Sequence, residues 1–574
     1  MSSGISLWID ELIERSSLGT PTARALRSRT TEREVDVVRR LLERMRKSEP
    51  SAREFGAQMH RASDESPQSQ LEEPMSYPPP TPTPQPSPPS VEPVRPMPVY
   101  PALAQDSNIQ GNVLAPFNKD FEAFLFLQLP GQTQGQAFLT AMLPLISTND
   151  EVAAFNSKYS AARRLGHEDP DGLSATWVAL SLTASGLEKV APATTAVLAQ
   201  SQWDTTVIPR FLAGAASAPD VATSGPEAPA AWLFGGAGGP AIDVVVVLAA
   251  DSADDLLGIT QEVRVIAAAN GVLSVFEQEG RALPGARHGH EHFGFKDGIS
   301  QPGVMGFDQP DTSTPPQVEG KPGTLIIEAG EFVLGYPGHD NPNGRAVPSW
   351  MFDGSFFVVR RLHQDVPGWW AQSESAGDTL GLPSEELGAK LVGRWRSGVP
   401  VAVDPNGDPR SGPDLSTDNN FDFSNDASGA NTPLCAHIRK VNPRAGVGPG
   451  QDAVGQRRIL RRGIAFGDPF DPAAGKDHGP DAPRGLVFAC YQTSIGQQFE
   501  FVQQAWADQA GFPAPGAGAD PVIGPAGPGT VVVPSGSQTV SFGRFVAVQG
   551  AVYAFTPSVP TLELLASGGA LPSP

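Results

Sequence analysis

Hydrophobic and polar positions follow clear periods between residues 121 and 278. Apolar runs rich in β-branched and aromatic residues predict strands at 121–129, 176–182, 244–250 and 272–278. Apolar residues at three- and four-residue spacing predict helices at 136–146 and 253–269. The resulting β-α-β-β-α-β order predicts a ferredoxin-like unit, an antiparallel sheet with helices on one face.

The second half of the chain repeats this pattern less clearly. Strands are predicted at 355–362 and 486–491, and helices at 383–395 and 499–507. A closing hairpin is predicted over 545–555, with Gln549 and Gly550 at its turn. We therefore expect an α+β protein with one unit at residues 105–310 and another at 311–574.

The first hundred residues have a different character. Two amphipathic helices are predicted at 5–16 and 31–47, within an N-terminal extension of residues 1–73. Residues 74–101 contain 13 prolines, which favours an extended polyproline spacer over residues 74–104. The extension is interpreted either as a docking segment for a protein shell or partner, or as disordered.

Charge and composition exclude several functional classes. The net charge is -21, and nearly all of it lies beyond residue 100, so an acidic body would repel phosphate backbones. We expect no nucleic-acid partner. The longest apolar run, at 244–250, is far shorter than the roughly 20 residues that cross a bilayer as a helix. We expect no membrane partner either.

Cysteine usage and the N-terminal sequence bear on location. Cys435 and Cys490 are the only cysteines, too few for a disulfide framework, and there is no C-x-x-C motif. The N-terminus does not resemble an export signal. A cytoplasmic location is therefore expected, either free in the cytoplasm or inside a protein compartment.

Three histidines alternate in the stretch HGHEH. His288, His290 and His292 would face one side of a strand and could then hold a transition metal. On a glycine-containing loop they would form a solvated turn instead, and this second interpretation is favoured. Both readings stay open from the residues alone.

Two further stretches concentrate chemistry-bearing residues. In GFKDG, two glycines bracket Asp297 and would hold its carboxylate in one orientation, although aspartate is also a common turn residue. In CAHIRKVNPR and RRILRRGIAFG, His437 stands among many arginines. These guanidinium groups would neutralise either structural carboxylates or an anionic ligand such as haem propionates. Cys435 does not complete a C-x-x-C-H motif, so covalent haem attachment is not expected.

Taken together, these motifs resemble the dye-decolorising peroxidase family. EHFGFKDGISQPG with Asp297, AHIRKVNPR with His437 and ILRRGIAFG with Arg461 stand in the family's order. NIQGNVL near the start, LVGRWRSG, GLVFACYQTSIGQQFEFVQQAW and FVAVQGAVYAFTPS are similar to the family as well. The resemblance extends over about residues 105–560 and leaves the N-terminal extension unmatched.

The resemblance implies two ferredoxin-like domains with noncovalent haem b in the second. His437 would be the axial iron ligand, Asp297 the acid-base group and Arg461 the residue that stabilises developing charge. Heterolysis of hydrogen peroxide needs both a base that moves a proton between its two oxygens and a cation. The further cofactor contacts expected are Gly298, Arg439, Arg444, Leu486 and Phe488.

The implied function is reduction of hydrogen peroxide with oxidation of dyes and other aromatic donors. Apolar Leu486 and Phe488 would keep bulky donors out of the distal space, so electrons would leave donors at the protein surface. The candidate relays are Trp369, Trp370, Trp506 and Tyr491. A carboxylate base predicts an acidic pH optimum. The alternative is a haem-handling or storage protein with low turnover, and a homo-oligomer is compatible with either.

Overall fold

The computed structural model describes residues 102–166, 172–309, 319–321, 323–408, 419–446, 448–449, 451–475, 478–533 and 536–572. The predicted N-terminal helices and nearly all of the proline-rich spacer lie outside the described residues. The structure therefore concerns the part of the chain that resembles a known family.

The first half contains four strands, three longer helices and three short helices. In chain order they are β1 (Phe121–Gln128), α1 (Gln132–Met142), α2 (Asn149–Gly166), β2 (Thr176–Leu182), α3 (Ala184–Val190), α4 (Thr194–Leu198), α5 (Ile208–Ala213), β3 (Val244–Ala250), α6 (Ala253–Ala269) and β4 (Leu273–Arg281). The bounds of β2, β3 and α6 are those predicted. Helix α2 was missed because Val152 is the only buried residue among its described apolar side chains, so its apolar stripe is weak.

The second half adds ten strands, five α-helices and two π-helical segments. In chain order they are β5 (Gly303–Val304), β6 (Glu319–Lys321), β7 (Thr324–Ile327), β8 (Ser355–Gln364), α7 (Val366–Leu380), α8 (Ser384–Val392), α9 (His437–Val441), α10 (Gln451–Gly455), β9 (Leu460–Arg461), β10 (Ile464–Phe466), β11 (Gly485–Gln492), the π-helices Ile495–Phe499 and Val502–Ala507, β12 (Gly527–Val533), β13 (Gly536–Phe542), β14 (Val546–Thr556) and α11 (Val559–Ala566). The predicted strands at 355–362 and 486–491 correspond to β8 and β11.

Nine of these strands form one antiparallel sheet in the order β10-β11-β8-β14-β2-β3-β1-β4, with β9 also paired to β11. Within it, β4-β1-β3-β2 and β10-β11-β8-β14 each have the strand order of a ferredoxin-like unit. The two units join where Phe555 of β14 pairs with Leu182 of β2. The predicted fold class is therefore confirmed, with both units sharing a single sheet.

The sheet curls so that its two ends meet. Gly280 of β4 lies against Ile464 of β10, at the opposite end of the strand order, and the sheet has the form of a barrel. Alternate residues of each strand point to opposite faces, so Phe124 and Phe126 of β1 fill the interior. Leu125 and Leu127 pack outward against the helices. Two hydrophobic cores result, one on each side of the sheet.

The predicted hairpin at 545–555 is wrong. Residues 546–556 form the single strand β14, which pairs with β8 along its length and shifts register between Val548 and Gly550. The Gln549-Gly550 pair therefore marks a β-bulge and not a turn. Gly550 is needed for close packing, because a Cβ atom there would lie 2.5 Å from the ring of Phe234.

No helix in the described ranges is both long enough and apolar enough to cross a bilayer.

Candidate active site

A cavity of about 380 Å³ lies beside the outer face of the second unit's strands. It brings together residues from the 291–300 loop, helix α9, strand β9 and strand β11. The predicted site residues that line it are Asp297, Gly298, His437, Arg444, Arg461, Leu486 and Phe488. Residues that are separated by up to about 190 positions in sequence thus face one space.

The apolar wall of the cavity comes from β11. Its alternating pattern directs Val487 and Ala489 into the barrel interior, while Leu486 and Phe488 face the cavity. Leu362 of the neighbouring strand β8 extends the same wall. One side of the cavity therefore presents hydrocarbon to any bound group.

Asp297 and Arg461 form an ion pair at the cavity. Nη1 of Arg461 donates to Oδ1 of Asp297 at 2.8 Å, and Nη2 donates to the carbonyl oxygen of Ser300 at 3.2 Å. The Gln301 side chain exchanges hydrogen bonds with the backbone of Arg461 at 3.0 and 3.3 Å. The side chains of Asp297 and Arg461, which are 164 positions apart in sequence, are thus held in a fixed orientation relative to each other.

Hydrogen bonds within residues 291–298 fix the conformation of the turn that carries Asp297. The carboxylate of Glu291 accepts hydrogen bonds from the backbone N–H groups of Phe293 and Phe295, each at 2.8 Å. Gly298 has a φ of +77°, a conformation that favours glycine, and its N–H donates to Oδ1 of Asp297 at 2.6 Å. Gly298, one of the two bracketing glycines, therefore orients the carboxylate.

The charge on Asp297 is stabilised by these contacts. Burial raises the pKa of this carboxyl, but the Arg461 guanidinium and the Gly298 N–H outweigh it and hold the pKa below its usual value of 3.8. Asp297 is consequently ionised throughout the mildly acidic range and can accept a proton there.

His437 stands at the start of α9, also facing the cavity. Its Nδ1 lies 2.8 Å from Oδ2 of Asp520, which is completely buried. Oδ1 of Asp520 accepts the backbone N–H groups of Val522 and Ile523 at 2.8 and 3.1 Å. A charged acceptor at Nδ1 leaves Nε2 as the ring nitrogen that can bind a metal.

Burial lowers the pKa of His437, but the Asp520 carboxylate reverses this and the pKa of the imidazole is raised. A carboxylate behind a histidine both orients the ring and makes it a stronger electron donor to a metal. Asp520 was not predicted. It lies 83 positions from His437, in a stretch of small residues and prolines that has no periodic pattern.

The segment that carries Asp520 is anchored by Lys440. Its Nζ is buried and donates to the carbonyl oxygens of Gln509, Phe512 and Gly518 at 2.6, 2.6 and 2.8 Å. Burial lowers the pKa of this lysine to about 8. Because Lys440 belongs to the same helix as His437, it fixes the distance between that helix and the Asp520 segment.

Two arginines that the sequence assigns to cofactor binding have different environments. Arg444 lines the cavity, with Nη2 2.6 Å from Oδ1 of Asn419. Arg439 does not line it: the side chain is completely buried, with Nη1 donating to Thr432 and Nη2 to Asp426 backbone oxygens. The predicted cofactor contact of Arg439 is therefore not supported, and its position indicates a structural role.

The HGHEH histidines take separate partners. His288 Nε2 lies 2.9 Å from Asp120, His290 Nδ1 lies 3.1 Å from the carbonyl oxygen of His288, and the buried His292 lies 2.8 Å from that of Phe466. Within the described ranges, no group of three or more His, Cys, Asp or Glu side chains is arranged to hold a metal ion. The interpretation of this stretch as a turn fits these contacts.

This cavity fits a haem. It offers one imidazole backed by a carboxylate, an apolar wall that can contact a porphyrin ring, and the cavity-lining cations Arg444, Arg457 and Arg458 near which propionates could lie. The same cavity is lined by the Asp297–Arg461 ion pair, which sets a carboxylate and a guanidinium side by side.

Comparisons with known proteins agree with this reading. Residues 108–282 match the model of the DyP dimeric alpha+beta barrel domain, and residues 343–513 match that of the Dyp-type peroxidase C-terminal domain. Dye-decolorizing peroxidase msp1 of Mycetinis scorodonius is 32% identical over 487 residues, which cover 80% of this chain and 87% of the relative.

Solved structures give the same result. An ancestral D-type dye-decolorizing peroxidase superposes with a TM-score of 0.67 at 31% identity, covering 81% of this chain and 99% of the other. The enzyme of Auricularia auricula-judae superposes with a TM-score of 0.65 at 30% identity, covering 80% and 99%. The chain belongs to the dye-decolorising peroxidase family. It is therefore a haem peroxidase, an oxidoreductase that acts on hydrogen peroxide.

Proposed function

We propose that this peroxidase holds haem b noncovalently, with His437 as the axial iron ligand and with Asp297 and Arg461 acting on peroxide. The observation that carries the proposal is that His437, with Asp520 hydrogen-bonded behind it, faces the same cavity as the Asp297–Arg461 pair. When bound, haem supplies the redox chemistry that takes two oxidising equivalents from peroxide.

Asp297 moves the proton in this proposal. The hydrogen bonds from Arg461 and Gly298 both fall on Oδ1, so Oδ2 is the oxygen that takes a proton from one peroxide oxygen. The same oxygen then returns the proton to the leaving oxygen, which departs as water. The low pKa of Asp297 favours this return, because the carboxylic acid is a strong donor.

Arg461 stabilises charge as the bond between the two peroxide oxygens breaks. Its guanidinium is already ordered by Asp297 and Ser300, and its backbone by Gln301, so little reorganisation is needed when negative charge develops. The presence of both groups favours an enzyme over a haem-handling protein with low turnover, which would need neither.

We also propose that dyes and other aromatic donors are oxidised at the protein surface. Leu486 and Phe488 narrow the space beside Asp297, so peroxide fits there more readily than a large donor does. Electrons must then cross protein between the donor and the cofactor. Surface transfer imposes little shape selection, which suits a broad range of donors.

The spectrum of the haem-loaded protein tests the proposed function. We expect a Soret band that changes within one turnover after stoichiometric peroxide and recovers when an aromatic donor is added. Repeated cycles without loss of haem would support an enzyme. Haem release, or a single change without recovery, would support the haem-handling alternative.

The partner of His437 provides a more specific prediction. In Asp520→Asn the amide oxygen can still accept the N–H groups of Val522 and Ile523, but the amide nitrogen then faces Nδ1 of His437. Loss of such a partner weakens metal binding by roughly 10–100-fold. We expect faster haem transfer to an excess of a haem-acceptor protein, and a higher iron reduction potential. If neither the rate of haem transfer nor the reduction potential changed, Asp520 would not support the iron ligand. Asp422→Asn, on the surface, is the control variant.

The pH profile tests the role of Asp297. Because the pKa of Asp297 lies below 3.8, its base function is present above that pH and is lost only as the pH falls through the lowered pKa. We expect peroxide consumption to peak in mild acid, with an acidic limb that lies below the usual aspartate pKa of 3.8. Asp297→Glu should move that limb to higher pH. A maximum above neutral pH in the wild-type protein would contradict the assignment.

Other aspects stay predictions. The described cysteines, Cys435 and Cys490, are both free and buried. The cytoplasmic location stays a prediction from the sequence. Three further predictions rest on the sequence alone. They are self-association, a domain boundary at residue 310, and docking to a partner through residues 1–73.

A further inference from the structure

The residue that follows Arg461 is a second arginine, whose side chain points the other way. Leu460 belongs to the core inside the barrel and Arg461 faces the cavity, so Arg462 is directed inward again. We propose that Arg462 is a positioning residue for the reaction with peroxide, because it holds the backbone of Arg461 against the first ferredoxin-like unit. This inference rests on the proposed function and adds a residue to it.

The side chain of Arg462 donates hydrogen bonds to four backbone carbonyl oxygens. Nε donates to Asn112 at 2.8 Å, and Nη2 donates to Val113 and Leu114 at 3.1 and 3.0 Å. Nη1 donates to the carbonyl oxygen of Arg461 at 2.9 Å. Because a guanidinium group is rigid and planar, it fixes the backbone of Arg461 relative to three successive residues of the first unit.

Strand β9 needs such support. It consists of Leu460 and Arg461 alone, shorter than most strands, and it pairs with β11 at two positions. The carbonyl oxygen of Arg461 accepts a second hydrogen bond, from Nε2 of Gln301 at 3.0 Å, and Gln301 lies four positions after Asp297. One oxygen is therefore held by Arg462 from the barrel and by Gln301 from the loop that carries Asp297.

The first-unit acceptors of Arg462 lie in the NIQGNVL segment, residues 108–114. The side chain of Gln110 ties this segment to both units. Its Nε2 donates to the carbonyl oxygen of Leu180 in β2 at 3.0 Å and to that of Pro557, which follows β14, at 2.8 Å. Strands β2 and β14 are the two that join the units. The segment is thus anchored where the two halves of the sheet meet.

The charge of Arg462 is poorly neutralised in the barrel. Burial lowers its pKa to about 10, and the carboxyl groups of Asp308 and Glu122 act on it only through longer-range attraction. Burial raises the pKa of Glu122 to about 8, so this group is mostly neutral at pH 7. A buried cation with so little neutralisation destabilises the fold. Its presence indicates a role that a hydrocarbon side chain could not perform.

The position of Arg461 affects both the rate and the pH dependence of the reaction. A displacement of about 1 Å from the productive arrangement can slow a reaction roughly 100-fold. The same displacement would weaken the contact between Arg461 and Asp297, which opposes the effect of burial on the pKa of Asp297. That pKa would then rise. A slower reaction and an acidic limb at higher pH are therefore expected together.

The first experiment compares two variants with the wild type, each as the full-length, haem-loaded protein. Stopped-flow absorbance gives the rate of the first reaction with peroxide across the acidic and neutral range. We expect Arg462→Gln to react roughly 10–100-fold more slowly, with its acidic limb at higher pH. Arg462→Lys keeps the charge and should recover part of both. An acidic limb at the wild-type position in Arg462→Gln, at whatever rate, would overturn the proposal.

Arg484 provides the matched control. It is a buried arginine that also donates to backbone carbonyl oxygens, those of Asp468 and Gly479 at 3.1 and 2.6 Å, in the stretch between β10 and β11. Arg484→Gln should lower the melting temperature, as Arg462→Gln does, but keep the wild-type rate and acidic limb. An equal shift of the limb in both variants would reduce Arg462 to a packing role.

A double variant tests whether Arg462 acts through Arg461. Once Arg461→Leu has removed the guanidinium from the cavity, adding Arg462→Gln should slow the reaction with peroxide by less than about twofold. A further loss as large as that of Arg462→Gln alone would show that the two residues act independently, and would refute the proposal.

Anion binding provides a measurement without turnover. Cyanide titration of the haem-loaded protein, followed by the Soret band, reports how well Arg461 stabilises negative charge in the cavity. The Kd should rise severalfold in Arg462→Gln and stay unchanged in Arg484→Gln, whereas a wild-type Kd in Arg462→Gln would contradict the proposal. If peroxide does not change the Soret band of the wild-type protein, the proposed function fails. If that change is normal but Arg462→Gln keeps the wild-type acidic limb, only this inference fails.

Discussion

Replacement of His437 by alanine is expected to remove haem from the purified protein, or to shift its Soret band if the apolar cavity retains a loosely bound cofactor. The imidazole is the proposed axial ligand, and Asp520 strengthens it by accepting a hydrogen bond from Nδ1. The measurement is the ratio of Soret to protein absorbance, together with iron content. Peroxide-dependent turnover should fall with the haem.

The matched control is His290→Ala. This imidazole belongs to the HGHEH stretch, and its Nδ1 lies beside the carbonyl oxygen of His288, so its loss should leave the haem spectrum and iron content unchanged. If instead iron were kept in His437→Ala and lost in His290→Ala, a non-haem site in HGHEH would replace the proposed one.

Asp297→Asn and Arg461→Leu are expected to keep haem but to slow the first reaction with peroxide. Positioned acid-base groups contribute roughly 10²–10⁴-fold, and a charge-stabilising donor contributes a similar factor. Stopped-flow absorbance at stoichiometric peroxide measures the step directly. Because the two side chains are hydrogen-bonded to each other, the double variant should be less impaired than the product of the single effects.

Arg461→Lys separates charge from geometry. A lysine keeps the positive charge, but it cannot contact both Asp297 and the Ser300 carbonyl as the guanidinium fork does. We expect an intermediate rate. Asp408→Asn, which removes a surface carboxylate that accepts from Ser397, should have the wild-type rate. Wild-type rates in both Asp297→Asn and Arg461→Leu would remove these residues from the mechanism.

Part of the fold follows from local pattern. Strands β2 and β3 and helix α6 have the predicted bounds, because their apolar periods are long and uninterrupted. Gln549 and Gly550 were misread because a glycine after a polar residue marks either a turn or a bulge. The choice depends on Phe234, which packs against that glycine from a distant segment.

By itself, the sequence determined the α+β class and the acidic charge through local pattern and composition, and it indicated Asp297, His437 and Arg461 as candidates through motifs that resemble a known family. Only the tertiary structure decided that Asp520 supports His437 and that Arg439 is enclosed away from the cavity. The physical reason is that partners and burial depend on which distant segments meet. A side chain's own neighbours in sequence do not specify them.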